Sequence, residues 1–418
     1  ASVVRDISRY VLRDMTSSDG GFFSAEDADS VPPEQMNDTG AQKAEGAFYL
    51  WSAAEFDGLL GSVAELAKRR FGVETDGNAP QDPMGEFRGK NILYLQQEID
   101  DLASSTGKPV DAVSQILSSV RQRLFETREQ RPRPHLDDKV LAAWNGLMIA
   151  ALARAAHVLD EPVASRFLTA ARRAAVFAND RLWDTDRQIL YRRYRDGQCS
   201  IEGYSEDYAF LGWGLIELFQ VEGDIKWLEW ALELQKRQDE LFWDKTEGGW
   251  YSTTDGDASV LLRLKEDHDG AEPSSSSVSV SNLLTLAHLT GDADALSKVE
   301  LTLGRFGHRL GQAARVVPMM LVSLVTFHAK VTQVVIVGEQ DAEETRAMER
   351  CVAVRYLPFV VRVTIEPGTG QARLADRLGF VSSMCLFDGH PTAYVCSNFT
   401  CLEPVTSPEA LDRQLAML

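Results

Sequence analysis

One short module recurs along the chain and limits its architecture more than any other feature. Leu12-Arg13-Asp14 leads to Gly20-Gly21-Phe22-Phe23-Ser24, and far downstream Leu241-Phe242-Trp243-Asp244 leads to Gly248-Gly249-Trp250-Tyr251-Ser252. Between them, Leu182-Trp183-Asp184 leads to Ile189-Leu190-Tyr191 without the glycine pair. Each copy reads as a helix ending in an acidic turn, then a short aromatic strand, then a polar loop and a new apolar helix. Self-similarity on this scale marks a repeat architecture whose units cannot bury their apolar faces alone. It predicts helical hairpins around a central cleft, with the polar loops as the place for chemistry.

The helices between the modules come in two kinds. Residues Val140 to Leu159 are apolar on nearly every face, which predicts a helix buried all round. Residues Val163 to Phe177 carry a stripe of Val163, Phe167, Ala171 and Ala174, with Arg166, Arg172 and Arg173 opposite, as expected of a half-exposed outer helix. The pair returns as Tyr208–Phe219 followed by a stripe through Trp227, Ala231, Leu234 and Leu241. It returns again as Val278–Leu289 followed by Ala295–Leu310. The inner helices start near residues 140, 208 and 278, roughly 70 residues apart. Alternating inner and outer helices suit a closed ring. An open solenoid is the alternative, and the buried inner helices and long inserted loops favour the ring.

Near Lys330 the period changes. Gln333–Gly338, Phe359–Ile365 and Thr392–Cys396 read as strands, with helices over Asp341–Val352 and Leu411–Leu418. This predicts a small α/β appendage with parallel pairing over 331–418, after a helical domain over 1–330. Asp76–Asn91 and Val31–Ala44 read as irregular polar loops.

Forty-three basic and 62 acidic side chains give a net charge of -19, which disfavours nucleic acid and anionic membranes as partners. The most apolar stretch, Leu141–Leu159, is interrupted by Asn145, Arg154 and His157 and is expected to be a buried helix rather than a membrane span. Five loosely spaced cysteines predict free thiols and a cytoplasmic setting. The chain starts at Ala1 without an initiator Met, and reads as a fragment or processed product; a secreted or organellar setting is therefore the alternative. Cys385, His390, Cys396 and Cys401 match no zinc pattern, and Cys396 and Cys401 lack Cys-x-x-Cys spacing. No metal and no cofactor is expected.

Carboxylates gather just before the inner helices: Asp137 and Asp138, Glu206 and Asp207, and Asp267, Asp269 and Glu272. Glu26-Asp27-Ala28-Asp29 follows the first aromatic strand. In a ring, helix N-termini converge on one mouth, and these acids would line it. Trp51, Tyr204, Tyr208, Trp250 and Tyr251 would add flat surfaces. Acids beside aromatic rings suit sugar recognition and glycosidic or epimerising chemistry. The structural alternative is helix capping, which favours the ionised carboxylate. His135, in the stiff Arg131-Pro132-Arg133-Pro134-His135 loop, is a second proton carrier or a hydrogen-bonded turn residue. Lys265 is an anion binder or a salt-bridge partner of Asp269.

These strings resemble the spermatogenesis-associated protein 20 family of thioredoxin-domain proteins. The resemblance rests on Gly20-Gly21-Phe22-Phe23-Ser24-Ala25-Glu26-Asp27-Ala28-Asp29-Ser30, Glu45 to Trp51, and His135-Leu136-Asp137 through Trp144-Asn145-Gly146. It continues with Glu206-Asp207-Tyr208-Ala209 and Asp269-Gly270-Ala271-Glu272-Pro273-Ser274. It implies a mainly α fold, an (α/α)6 toroid of helical hairpins related to six-hairpin glycosidases and sugar epimerases, here expected to be incomplete at its N-terminus. It also implies a thioredoxin-like domain, absent from this chain, as a partner, and in animals a link to spermatogenesis.

The combined expectation is a carbohydrate-active or carbohydrate-binding toroid of hydrolase or epimerase type, with a sugar as ligand. Asp27, Asp29, His135, Asp137, Glu206, Asp207, Asp269 and Glu272 are its candidate catalytic groups. Trp51, Trp144, Asn145, Tyr208, Tyr251 and Lys265 are its candidate substrate contacts. The alternative is a non-enzymatic scaffold that binds a protein.

Overall fold

The structure, a computed structural model, describes residues 1–79, 85, 87–257, 259–397 and 400–418. Residues 80–84 and 86, part of the loop read over Asp76–Asn91, lie outside the described residues. The helices are α1 (Ser2–Asp14), α2 (Ala53–Leu60), α3 (Ala64–Phe71), α4 (Ile99–Thr106), α5 (Val110–Arg128), α6 (Ala142–Val158), α7 (Val163–Leu182), α8 (Ser205–Glu222), α9 (Ile225–Phe242), α10 (Ser275–Thr290), α11 (Ala293–Ala313), α12 (Pro318–His328), α13 (Glu343–Ala353), α14 (Thr369–Ala375) and α15 (Pro408–Leu415). The strands are β1 (Phe23–Glu26), β2 (Asp29–Ser30), β3 (Ala44–Glu45), β4 (Leu136–Leu141), β5 (Trp183–Asp184), β6 (Ile189–Arg195), β7 (Gln198–Glu202), β8 (Thr332–Val337), β9 (Val360–Ile365), β10 (Thr392–Ser397) and β11 (Thr400–Cys401). Among the described residues no helix is long and apolar enough to cross a membrane.

The chain divides into two compact units, Ala1–Ser24 with Asp138–Leu418, and Ala25–Asp137. In the larger unit α6 packs on α7, α8 on α9 and α10 on α11, while α8 lies between α6 and α10. This is the hairpin arrangement of an α/α toroid, with α6, α8 and α10 inside. The inner α8 is buried along both its apolar flanks, through Phe210, Leu211, Leu215 and Phe219. Each such side chain contributes about 1.5–3 kcal/mol by leaving water. The outer α7 buries one stripe, Phe167, Ala171, Ala174 and Ala178, and leaves its arginines outside.

Two glycines set the closest helix crossing. A Cβ at Gly146 would lie 2.3 Å from the Phe210 carbonyl oxygen, and one at Gly214 would lie 2.6 Å from the Gly146 carbonyl oxygen. Only hydrogen at both positions lets α6 and α8 touch backbone to backbone.

The recurrent module is visible as structure. After α1, Thr16 bridges Phe22; after α7, β5 pairs with β6; after α9, Trp243 bridges Trp250. In the first and last copies the glycine pair turns with positive φ at Gly20 (109°), Gly248 (78°) and Gly249 (79°). A Cβ at Gly20 would meet the Arg173 carbonyl oxygen at 3.1 Å, and one at Gly248 would meet the Thr302 nitrogen at 3.0 Å. The glycines therefore seat each turn against the backbone of an outer helix, α7 or α11. The middle copy, which lacks them, places Gln188 in the left-handed region instead.

The C-terminal segment forms a sheet of order β11-β10-β8-β9 with its own core of Val334, Ile336, Met348, Val352, Ala393, Val395, Leu411 and Leu415. All six residues of β8 are buried, which explains its unbroken β-branched run. Parallel pairing holds for β8 and β9, joined across α13, but β10 runs antiparallel to β8. The connection from β9 through α14 returns the chain along the other edge of β8 in the opposite sense. The free-thiol expectation is likewise corrected at one pair. Cys396 and Cys401 are directly opposed across β10 and β11 and form a disulfide, whereas Cys199, Cys351 and Cys385 are free.

The smaller unit packs α2 to α5 around Trp51, Phe56, Leu60, Phe71, Leu102, Val113, Leu117 and Leu124. Helix α2 starts with a capping box in which Ser52 and Glu55 satisfy each other's backbone N–H groups.

Candidate functional site

In the larger unit the first turns of the inner helices carry a cluster of acids in two layers. The lower layer holds structure. Asp207 is buried, and accepts hydrogen bonds from the Tyr204 N–H (2.9 Å), the Ala143 N–H (3.2 Å) and Arg192 Nη1 (3.0 Å). It thereby joins the N-termini of α8 and α6 to strand β6. Burial pushes its carboxyl up to about 6, against the pull of Arg192. Asp269 is used in the same way. One oxygen accepts from the Ser274 N–H at 2.9 Å and the other from the Met319 N–H at 2.8 Å, so it caps both α10 and α12.

The upper layer faces outward. Glu206 accepts from Arg192 Nη1 at 2.6 Å, and the Arg192 guanidinium lies 4.7 Å from the Tyr204 ring centroid. Glu272 accepts from the Trp144 indole N–H at 3.0 Å. That bond links the α6 N-terminus to the loop before α10 and fixes an indole that is 44% exposed. Glu266 stands in the same field. Burial of its carboxyl, then the Glu206 charge, then Glu272 and Asp269, raise it above the ordinary glutamate value, with His268 opposing. The cluster therefore contains one carboxyl raised above the ordinary glutamate value and one engaged by an arginine.

The other expected contacts in this unit are occupied by the fold. Asn145 is buried; its side-chain oxygen accepts from the Phe22 N–H at 2.8 Å, and its NH2 donates to the Phe22 (3.0 Å) and Leu141 (2.9 Å) carbonyls. It pins the aromatic strand of the first module. Tyr208 is buried, its hydroxyl accepts from the Leu190 N–H at 3.0 Å, and burial pushes it up to about 12. Lys265 donates to Asp244 at 2.8 Å, not to Asp269, and Tyr251 donates its hydroxyl to Asp244 at 2.9 Å. Burial opposes ionisation of Asp244, but Lys265 and the Thr246 and Glu247 N–H groups hold it well below the usual carboxylate range. The Tyr251 ring lies between Arg263 (4.2 Å) and Lys265 (5.0 Å).

Five expected residues belong to the smaller unit. Asp27 accepts from the Asp29 N–H at 3.2 Å and from Lys43 at 3.1 Å, which hold it below its ordinary value. Its own N–H donates to the His135 carbonyl at 2.8 Å, and the His135 side chain is exposed. Asp29 pairs with Glu45 in the β2–β3 ribbon, and Asp137 is half-buried in β4. Trp51 is 3% exposed and the Arg131 guanidinium covers its ring at 3.9 Å, so the core and Arg131 already occupy the face a sugar would need.

Glu266 and Arg192 are the groups that sequence reasoning passed over. Glu266 lies in the mixed-charge loop Arg263–Ser274, and no periodicity distinguishes one acid of such a loop from another. Arg192 sits in an Arg-Arg-Tyr-Arg strand whose alternation places it on the Glu206 side. Among the described residues no group of three or more His, Cys, Asp or Glu could hold a metal ion.

No family model matches the chain. Over 99% of its length it is 37% identical to human spermatogenesis-associated protein 20 and 36% identical to the mouse protein of that name. It is 30% identical, over 98% of its length, to an uncharacterized protein of Caenorhabditis elegans. The chain spans about half the length of the curated relatives it matches, 54% of the two mammalian proteins and 56% of the nematode one. Among solved structures, similarity extends to cellobiose 2-epimerase from Spirochaeta thermophila (TM-score 0.33, 18% identity, 40% of this chain and 43% of that one). It also extends to cellobiose 2-epimerase from Bacillus thermoamylovorans (TM-score 0.36, 12% identity, 63% and 66%).

Proposed function

The chain belongs to the spermatogenesis-associated protein 20 family, and from that premise we propose that its larger unit carries a sugar-binding, sugar-converting cleft at the N-termini of α6, α8 and α10. The reaction is of hydrolase or epimerase type, and the role one in carbohydrate metabolism. The observation that carries the reading is the pairing of unlike carboxyls beside a presented indole. Glu266 retains a proton more readily than an ordinary glutamate, Glu206 is engaged by Arg192, and Glu272 holds Trp144 half exposed.

In this reading Glu266 is the general acid and Glu206 the general base, while the Trp144 ring packs on the apolar face of a pyranose. Asp207 and Asp269 position the helix ends that carry them. The test is Glu206→Gln. Sugar turnover by the wild type, abolished in the variant at unchanged melting temperature, supports the assignment. A wild type without turnover on any sugar, together with a destabilised variant, would leave Glu206 with a structural role only.

A second reading is favoured by one observation. Leu261, Leu262 and Leu264 project from the loop before Glu266 and are strongly exposed. An interaction scaffold that binds a thioredoxin-like domain would use such a surface. It predicts saturable binding of that domain and no thermal shift with any sugar or sugar phosphate.

A further inference from the structure

We propose that the cleft takes an anionic sugar, a uronate or a sugar phosphate, whose charged group docks in a basic cavity on α11 beside it; this rests on the sugar-cleft reading above. The cavity holds about 210 Å³ and is lined by Asp267, Arg305, Phe306, His308, Arg309 and Gln312. Liquid water takes about 30 Å³ per molecule, so the space suits a carboxylate or phosphate with part of its ring.

Its chemistry is the reverse of its surroundings. The chain carries a net charge of -19, and the proposed cleft carries Glu206, Glu266 and Glu272. Here Arg305, His308 and Arg309, at i, i+3 and i+4, lie on one face of α11. Asp267 is the only acid of the lining, and it pairs with Arg309 Nη2. Arg305 forms an ion pair with Glu247, its Nε 3.3 Å from the carboxylate. His308 makes no hydrogen bond or ion pair among the described residues. Each guanidinium has five N–H donors in a planar fork, so most of the donors on this face have no protein acceptor. Side chains of this kind bind carboxylate or phosphate oxygens.

Adjacency to the cleft follows from the chain. Asp267 of the cavity and Glu266 of the acid cluster are consecutive, about 3.8 Å apart at Cα. The proposed ligand therefore has two rings, one at the acid cluster and one carrying its anion to the cavity. An anionic substrate would be repelled by Glu206 and Glu272 unless its charge lay outside them, and α11 provides that place.

Calorimetric titration of the wild type would use cellobiose, its acidic counterpart glucuronosyl-glucose, glucose 6-phosphate and inorganic phosphate as probes. The expected result is that an acidic sugar binds at least about tenfold more tightly than cellobiose, the worth of one charge-assisted contact. The preference should fall with salt, vanish in Arg305→Gln/Arg309→Gln, and return in Arg305→Lys/Arg309→Lys. The glucuronosyl and phosphate arms distinguish which anion the cavity takes. Equal affinity for neutral and acidic sugars, or a preference kept by a folded double Gln variant, overturns this inference and leaves the sugar cleft standing. No binding of any sugar overturns both. Binding of inorganic phosphate without any acidic sugar overturns the inference by reducing the cavity to a free-anion site.

Discussion

Replacing Gly146 by alanine tests the closest contact in the fold. The added Cβ would lie 2.3 Å from the Phe210 carbonyl oxygen and 2.4 Å from the Leu211 nitrogen. Both obstacles are backbone, so no rotamer change relieves the clash. Ordinary van der Waals contact for a Cβ begins at 3.4 Å, so α6 and α8 must separate by roughly 1 Å where they meet. Overpacking a well-packed core costs about 1–3 kcal/mol, and a rigid backbone obstacle puts this site at or above the top of that range. Alanine's better helix propensity returns about 1 kcal/mol. The net expectation is a loss of about 2–3 kcal/mol, read as a lower urea midpoint by circular dichroism. Gly304→Ala is the control: it lies in α11 with no atom within 4 Å of its added Cβ, and should gain up to about 1 kcal/mol. A Gly146→Ala variant as stable as the Gly304→Ala one would refute the backbone-to-backbone crossing.

Two further outcomes follow from buried polar groups. Asn145→Ala strips the partners from the Phe22 N–H and carbonyl, and should cost about 2–4 kcal/mol in urea unfolding; a loss below about 1 kcal/mol would mean that Asn145 does not hold the strand. Asp207 is raised from 3.8 to about 6, so between those values the native protein keeps a proton that the unfolded chain has released. Its contribution to stability is therefore greatest below 3.8, falls as pH rises to about 6 and is constant above. Asp207→Asn should remove that slope from a series of urea midpoints; an unchanged slope would assign it to other groups.

The inner and outer helices were legible because burial on all sides and burial on one stripe leave different apolar periods. The modules were legible because Gly20-Gly21 and Gly248-Gly249 solve the same steric problem against α7 and α11. The short helices α2 to α4 were not read, since each carries too few turns for a stripe to stand out between polar loops. The β6–β7 hairpin was read only at its first residues, because Arg192, Arg193 and Arg195 mask its alternation. Cys396 and Cys401 meet through strand register, which their spacing of five does not reveal. At the site, Glu206, Glu272 and Trp144 were anticipated because helix N-termini collect acids. The division of labour was not: Asp207 and Asp269 spend their oxygens on backbone N–H groups, and Glu266 is raised by desolvation first and then by the Glu206 charge on α8, neither of which its loop sequence reveals.

The most direct measurement is titration of a sugar panel against wild-type protein and Trp144→Ala. Trp144 is half exposed and its indole N–H bonds Glu272, so its removal should leave the melting temperature nearly unchanged. The account predicts saturable sugar binding by the wild type, weakened at least about tenfold in the variant, as loss of a stacked ring implies. Binding that is untouched by Trp144→Ala, or absent from the wild type across the panel, would contradict it.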